Sequence, residues 1–521
     1  MKILIVYPNK VMVTRMPLGI CYLVAHLKKE NHKVKVFDTT FFKCSNVQND
    51  DKLRESSLQV KNPDLTKYGL VNEETNVFSE FEKEVVSFKP DMVGISVSDP
   101  NYNFGLEFLK LIKKNYPTIP TIVGGPTATV APDEVIKEDC VDMLCRGEAE
   151  ETFVELCQKI EKKEDITKIK NMWVKGKLGI VHINPLRALQ DIDTTLPPDL
   201  SVLDPKHFLR PLGGKVYRMG TVMWTRGCVY HCTYCANSAY INVYKGKGSF
   251  YRIKDPEIFI KELIDIKKQF NLNFLFFVDD IFPLHKKDVL DKFCELYKKH
   301  VDVPFSINLH PTLILEEQLK KVIDAGCVNI CVGLESGSDK IRDEILGRKY
   351  TDEQIIKIFK FAKENNIRSS SFNMIGLPHE TREDIFKTIE LNRKAGPTSA
   401  TLTFFHPYRG SSLKDLCLKE DLFDPLNDEK DENVYRSESR LNLPQISKNE
   451  LTELFKTFQL YFKLPKEYYD LIRIAETDSE LGKELMEKIL KPAFEKITKD
   501  EMTWDFFQRK ESWKSLEGNL K

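Results

Sequence analysis

Three cysteines fall within eight residues, at Cys228, Cys232 and Cys235, in the stretch Thr225-Arg226-Gly227-Cys228-Val229-Tyr230-His231-Cys232-Thr233-Tyr234-Cys235. The C-x3-C-x2-C spacing lets one loop turn three thiolates onto a single inorganic centre. An iron–sulfur cube has four irons, so three cysteines hold three of them and leave one open to bind a small molecule. That suits chemistry more than passive electron storage. A zinc knuckle is the competing reading. It wants four Cys or His ligands, usually in two pairs, and His231 stands too near Cys232 in sequence to close a tetrahedron comfortably. Chance is a poor explanation, because only 12 of 521 residues are cysteine.

The elements around this loop must position it. From Gly220 to about Leu418, strands and helices alternate as a partial or full α/β barrel requires. The strands read as Gly220–Trp224, Phe274–Val278, Phe305–Leu309, Val328–Val332, Ser369–Met374 and Thr401–Phe405. Polar residues gather at their carboxyl ends, where barrel active sites are built. After the cysteine loop come Asp279-Asp280, His310, Gly333-Leu334-Glu335-Ser336-Gly337-Ser338, Ile375-Gly376-Leu377-Pro378-His379-Glu380 and His406-Pro407-Tyr408. Each has a plainer use. The aspartates can cap the next helix, Glu335 can sit in a simple turn, and Arg342 and Arg348 read as helix-surface charges. His310 and His406 are the candidates for substrate proton transfer, against structural burial.

With an aromatic residue, Tyr234, just before its last cysteine, the cysteine loop resembles the signature of radical S-adenosylmethionine (SAM) enzymes. That resemblance implies a [4Fe-4S] cluster on Cys228, Cys232 and Cys235 whose open iron chelates SAM. The cluster's electron then cleaves SAM to methionine and a hydrogen-abstracting 5′-deoxyadenosyl radical. It further implies that Tyr234, Gly333, Glu335 and Ser336 line SAM, with Arg342 and Arg348 as candidates for its methionine carboxylate beside their plainer use, and that Ile375 and Gly376 pass the adenine. Glycine there admits the flat ring. An external donor, flavodoxin or ferredoxin, is implied as the electron source.

Residues 1–165 also alternate strand and helix, which predicts a doubly wound parallel sheet. The strands are Lys2–Tyr7, Lys33–Asp38, Asp91–Val97, Ile119–Val123 and Met143–Cys145, with a long polar stretch between Cys44 and Thr75. No G-x-G-x-x-G follows the first strand, so the dinucleotide fingerprint is absent. The set Pro17-Leu18-Gly19, Gly124-Gly125-Pro126-Thr127 and Arg146-Gly147-Glu148 resembles the cobalamin-binding domain that precedes many radical SAM enzymes. The paired glycines let the backbone approach a bulky group closely. The loop after the first strand, residues 9–16, contains no histidine, so the resemblance implies cobalamin without a protein histidine ligand.

Residues 166–215 carry Pro185, Pro197, Pro198, Pro205 and Pro211 and predict a linker. The barrel domain is expected over 216–420. Residues 421–521 begin with the charged stretch Asp424–Arg440 and continue with apolar residues at helical spacing, including Leu451, Leu454, Phe455, Phe458, Tyr461 and Phe462. They predict helices that cap the barrel mouth. Basic and acidic residues balance at 78 each, which argues against a nucleic-acid polyelectrolyte mode. No apolar run is long enough to span a membrane. A soluble cytoplasmic protein is the expectation, with cysteines such as Cys21, Cys145 and Cys331 as reduced core thiols.

The leading functional expectation is a cobalamin-dependent radical SAM methyltransferase acting on an unactivated carbon or phosphinate of a small molecule or lipid. The runner-up keeps both cofactors but performs an oxidative cyclisation or rearrangement. A tRNA methylthiotransferase would need clustered cysteines in the first domain and a basic tail. A non-catalytic iron–sulfur or zinc sensor gives no reason for the polar strand ends.

Overall fold

Ile3, Leu4, Ile5 and Val6 are all buried, Leu4 and Val6 in one apolar cluster and Ile3 and Ile5 in another. A strand apolar on both faces belongs inside a sheet covered by helices on both sides, and β1 (Lys2–Tyr7) takes that place. It pairs in parallel with β2 (Lys33–Asp38) and β3 (Met92–Ser96). With β4 (Thr121–Gly124) and β5 (Met143–Cys145) the order is β2-β1-β3-β4-β5. The order reverses at β1 and β3, and ligands of such sheets sit at the strands' carboxyl ends there. The structure is a computed structural model that describes all residues except 11–15, 45–49, 177–178, 314, 426–435, 500, 502–503 and 521. Parts of the loop after β1, the Cys44–Thr75 stretch and the charged segment Asp424–Arg440 therefore lie outside the described residues.

Two antiparallel strands, β6 (Met172–Lys175) and β7 (Val181–Ile183), extend this sheet. Both fall in the stretch read as linker. Its prolines all follow a short apolar run, Met172-Trp173-Val174, that is buried against β5.

The second sheet begins with the hairpin β8 (Leu209–Leu212) and β9 (Lys215–Val222). A short ribbon of β10 (Thr225–Arg226) and β11 (Arg252–Ile253) flanks it. Then follow β12 (Phe274–Phe277), β13 (Phe305–Leu309), β14 (Cys327–Glu335), β15 (Arg368–Ile375) and β16 (Ser399–Phe404). The order is β16-β15-β14-β13-β12-β9-β8, parallel from β9 onward and curled into a half-barrel. Alternate residues face outward into the helix-covered core, among them Val222, Phe277, Ile307, Ile330 and Val332. The inward set is polar: Ser306, Asn329, Cys331, Arg368 and Ser370 are joined by hydrogen bonds. β14 runs on to Glu335, past the predicted end at Val332. Its register shifts between Gly333 and Glu335, and Glu335 adopts φ 64°.

The carboxyl-terminal helices cover more of the half-barrel than the mouth alone. The helix Lys448–Lys463 lies along β16, where Phe455 stacks on Phe404 at 4.6 Å and Gln459 Nε2 donates to the Ala400 carbonyl at 2.7 Å. Further on, Phe506, Phe507 and Trp513 pack on Tyr217, Phe274 and Val328, at the amino ends of their strands. The tail thus seals the half-barrel's free edge and floor, because an edge strand with an apolar outer face needs cover. It also reaches the carboxyl end of β15, where Gln445 Nε2 donates to the Glu380 carbonyl at 3.0 Å and Ser439 and Leu451 stand beside Gly376. Residues 50–59 of the first region reach the same edge, with Gln59 Oε1 accepting from Leu402 N at 2.9 Å. No helix among the described residues is long and apolar enough to cross a membrane.

Candidate functional site

The cysteine loop is held from several sides. Gly227 has φ 83°, and a Cβ there would stand 2.3 Å from the Phe250 carbonyl oxygen, so only glycine fits just ahead of Cys228. Asp279, at the end of β12, accepts from Trp224 N at 3.0 Å and Thr225 N at 2.5 Å. It therefore holds backbone of the cysteine strand, not the start of a helix, and burial pushes its pKa up to about 7. Thr233 N donates to Leu346 O at 3.1 Å, which ties the loop to the segment after β14.

Each thiol receives an N–H. Cys228 Sγ lies 3.5 Å from Tyr230 N, Cys232 Sγ 3.7 Å from Arg348 Nη1 and Cys235 Sγ 3.8 Å from Asn237 Nδ2. Such donors tune a ligated sulfur. Among the described residues no three His, Cys, Asp or Glu side chains stand close enough to hold one metal ion. A cube, which takes each thiolate on a different iron, does not ask for that. The donor set fits a cluster.

Behind the cysteines, Arg348 is 6% exposed, not a surface charge. Its Nη1 also donates to Tyr234 Oη at 3.1 Å and its Nη2 to the Gly333 carbonyl at 2.7 Å, while Glu335 stands 4.0 Å away. Burial raises the Glu335 pKa against the pull of Arg348. Arg342 is also fully buried and pairs with Asp352 at 2.9 Å. The structure thus gathers Tyr234, Gly333 and Glu335 beside Cys232. Ser336 is buried in the turn that follows, accepting from Ser338 N at 3.3 Å. Gly376 N and Leu377 N donate to Glu380 Oε2 at 2.7 and 3.2 Å, and burial lifts the Glu380 pKa to about 8. His310 stacks on Tyr230 at 3.7 Å and bonds Thr312 Oγ1 at 2.9 Å. Burial, with Arg348 nearby, takes its pKa down to about 2, so it is neutral. His406 is buried against Tyr408.

A cavity of about 350 Å³ lies between the two sheets. One wall carries Gly19, Gly94, Gly124, Gly125 and Gly147; the other carries Met223, Arg226, Tyr240 and Asp280. A Cβ at Gly19 or Gly124 would meet nothing within 4 Å, so these bare positions open onto the cavity. Gly125 has φ 93° and lies against Val97, which keeps the turn tight. This glycine-lined cradle at the carboxyl ends of β1, β3 and β4 fits a bulky flat group.

Other sequence candidates are engaged elsewhere. Thr127 Oγ1 donates to Asp99 at 3.0 Å, and Asp99 in turn holds Arg409 of the barrel. Arg146 Nε donates to Thr129 O at 3.1 Å, and Pro17 precedes the helix Leu18–Lys29. Glu148 lines the cavity, but its carboxylate joins Arg252 at 2.5 Å and Arg226 at 3.2 Å, with Arg226 also 2.8 Å from Glu150. Burial opposes ionisation of Glu148, and the two guanidiniums outweigh it, holding its pKa below the usual range. This clamp joins the first sheet to the cysteine loop. Sequence reading missed Arg252, Tyr244 and Asn237, none of which belongs to a local motif. Arg226 was visible only as a neighbour of Cys228.

The fold and site define a class: a doubly wound domain and a half-barrel with a three-cysteine loop, facing each other across one cavity. Comparisons with known proteins agree. The sequence model of the B12 binding domain matches residues 9–157, and that of the Radical SAM superfamily matches residues 222–391. An uncharacterized methyltransferase of Pyrococcus horikoshii is 27% identical over 435 residues, covering 82% of this chain and 85% of the relative. An anaerobic magnesium-protoporphyrin IX monomethyl ester cyclase of Rubrivivax gelatinosus is 26% identical over 364 residues, 67% of this chain and 63% of the relative. The structure of TsrM, a radical SAM methyltransferase from Kitasatospora setae solved with cobalamin and a [4Fe-4S] cluster, shares the fold. Its TM-score is 0.61 at 17% identity, covering 80% of this chain and 78% of that one. The chain is thus similar to radical SAM enzymes that carry a cobalamin-binding domain, a methyltransferase and a cyclase among them.

Proposed function

We propose that the protein methylates an unactivated carbon or phosphinate of a small molecule or lipid, using SAM, a [4Fe-4S] cluster and cobalamin. The observation that carries the reading is the single cavity, with the glycine cradle on one side and the cysteine loop on the other. Cys228, Cys232 and Cys235 would hold the cluster, and the glycines of the first sheet would seat the corrinoid. Held there, the cluster would supply an electron to SAM, and the corrinoid would carry the methyl group. Around them, Arg348 and Asn237 steady the sulfurs, while Tyr234 and Glu335 offer hydrogen bonds to the polar groups of SAM. No histidine stands among the described residues lining the cavity, which supports a corrinoid held without a protein imidazole. Val229 of the cysteine loop is 45% exposed, which supports access for an external donor such as flavodoxin or ferredoxin. We assign the cofactor-binding regions to residues 1–165 and 216–420, and a cytoplasmic setting without nucleic-acid partners.

Anaerobic reconstitution with cobalamin, followed by reduction in the presence of SAM, tests the reading. S-adenosylhomocysteine formed together with 5′-deoxyadenosine supports methyl transfer. 5′-Deoxyadenosine alone favours the cyclisation or rearrangement reading, which the similarity to the cyclase keeps open. Neither product would overturn both.

A further inference from the structure

Asp280, just past the carboxyl end of β12, is exposed, while Asp279, Ile281 and Phe282 around it are buried. The surface it exposes faces the cavity between the two sheets, whose barrel wall it helps to form. Successive side chains of an extended chain point opposite ways. Asp279 turns back to hold Trp224 N and Thr225 N, so Asp280 turns into the cavity. The other charges on the cavity wall match one another. Arg226 pairs with Glu148 and Glu150, and Arg252 pairs with Glu148. Asp280 is thus a third carboxylate against two guanidiniums, and among the described residues no cation stands in ion-pair contact with it. Burial by the surrounding walls raises its pKa, against a hydrogen bond from Asn237. Beside it the wall carries Met223 and Phe250, which offer little solvation to a charge.

We propose that Asp280 binds a protonated amine of the substrate and thereby holds the neighbouring carbon for methylation. The inference deepens the proposed function and rests on it for the reaction. Gly227, next to Cys228, lines the same wall, as does Asn237, whose Nδ2 lies 3.8 Å from Cys235 Sγ. The glycine cradle lies across the cavity. A substrate that is to meet both the cluster side and the cradle side has to lie between these walls, where Asp280 stands. An alcohol would give the carboxylate one neutral donor. An ammonium adds its charge, and such charge-assisted bonds are roughly twice as strong. An anionic group would meet a like charge in an apolar surround and be turned away. The substrate class narrows accordingly to small molecules with a basic nitrogen near the methylated carbon.

Equilibrium binding to reconstituted holoenzyme at neutral pH tests this with phenethylamine, 2-phenylethanol and 3-phenylpropanoate, which share one apolar body. Phenethylamine, protonated at that pH, is expected to bind at a single site on the order of tenfold tighter than the other two. Asp280→Asn, isosteric and at an exposed position, is expected to erase that preference while iron, sulfide and corrinoid contents and the thermal midpoint hold. Asp280→Lys is expected to reverse it in favour of 3-phenylpropanoate. Equal binding of amine and alcohol by the wild type, or an amine preference that survives in Asp280→Asn, would overturn the proposal. Loss of corrinoid from Asp280→Asn with iron retained would assign the carboxylate to the corrinoid and overturn it too. Formation of 5′-deoxyadenosine and S-adenosylhomocysteine is measured on the same wild-type samples. Intact cofactor chemistry without an amine preference rejects the anchor alone, and an amine preference without cofactor chemistry rejects the reading of the reaction.

Discussion

Arg348 and Cys232 stand 3.7 Å apart, Nη1 against Sγ, although 116 residues separate them in the chain. The same guanidinium holds Tyr234 and the Gly333 carbonyl. Arg348→Gln leaves the three cysteines in place, so iron content is expected to stay at the wild-type level. The lost positive charge and N–H no longer favour the reduced, more negative cluster. A potentiometric titration followed by EPR is therefore expected to show a fall on the order of 60 mV, tenfold in a one-electron equilibrium. An unchanged potential would remove Arg348 from the cluster's surroundings.

The cradle makes a separable prediction. A Cβ at Gly124 meets nothing within 4 Å and the residue has no positive φ, so Gly124→Leu is expected to fold with its thermal midpoint intact. Its side chain would project into the cavity. Corrinoid affinity is expected to drop at least tenfold while iron content holds, as measured by visible spectroscopy after gel filtration.

Glu148 tests how the two halves are joined. Glu148→Gln removes the charge between Arg226 and Arg252 and leaves both guanidiniums half-paired. A loss of about 2 kcal/mol is expected, seen as a thermal midpoint lower by several degrees. Combining it with Arg252→Ala should cost less than the sum of the two, because both changes break the Glu148–Arg252 contact. Arg252→Ala also removes the bond to the Gln190 carbonyl at 2.6 Å.

Glu380 gives a pH signature. Burial raises its pKa from 4.5 to about 8, so the folded state binds a proton that the unfolded state releases. Its stabilising contribution is full below about pH 4.5 and is lost as pH rises through about 8. Glu380→Gln is expected to flatten the fall in stability over that window, by an amount on the order of a few kcal/mol. Parallel denaturation curves for the variant and wild type would refute it.

Much of this was legible in the chain. The buried runs of β1 and β12, the cysteine spacing and the polar strand ends each obey short-range rules, and they placed both sheets and the cluster loop. The strands β6 and β7 were hidden because the prolines from Pro185 onward marked the stretch as a linker and Met172–Val174 is only a three-residue apolar signal. Arg342 and Arg348 read as surface charges because helical spacing does not show which charged residue turns inward after a tight turn. Glu148 looked like a ligand contact, and its two arginine partners, 78 and 104 residues away, carry no mark of the pairing. Contacts of that range come from tertiary packing, which a local pattern does not encode.

The central claim is that Cys228, Cys232 and Cys235 carry a cube with one iron free for SAM. EPR of the anaerobically purified, dithionite-reduced protein, recorded with and without SAM, tests it most directly. The account predicts a reduced [4Fe-4S] signal whose g-values shift when SAM is added, and which Cys228→Ala abolishes. A protein holding stoichiometric zinc, or a cluster signal that SAM leaves untouched, would contradict it.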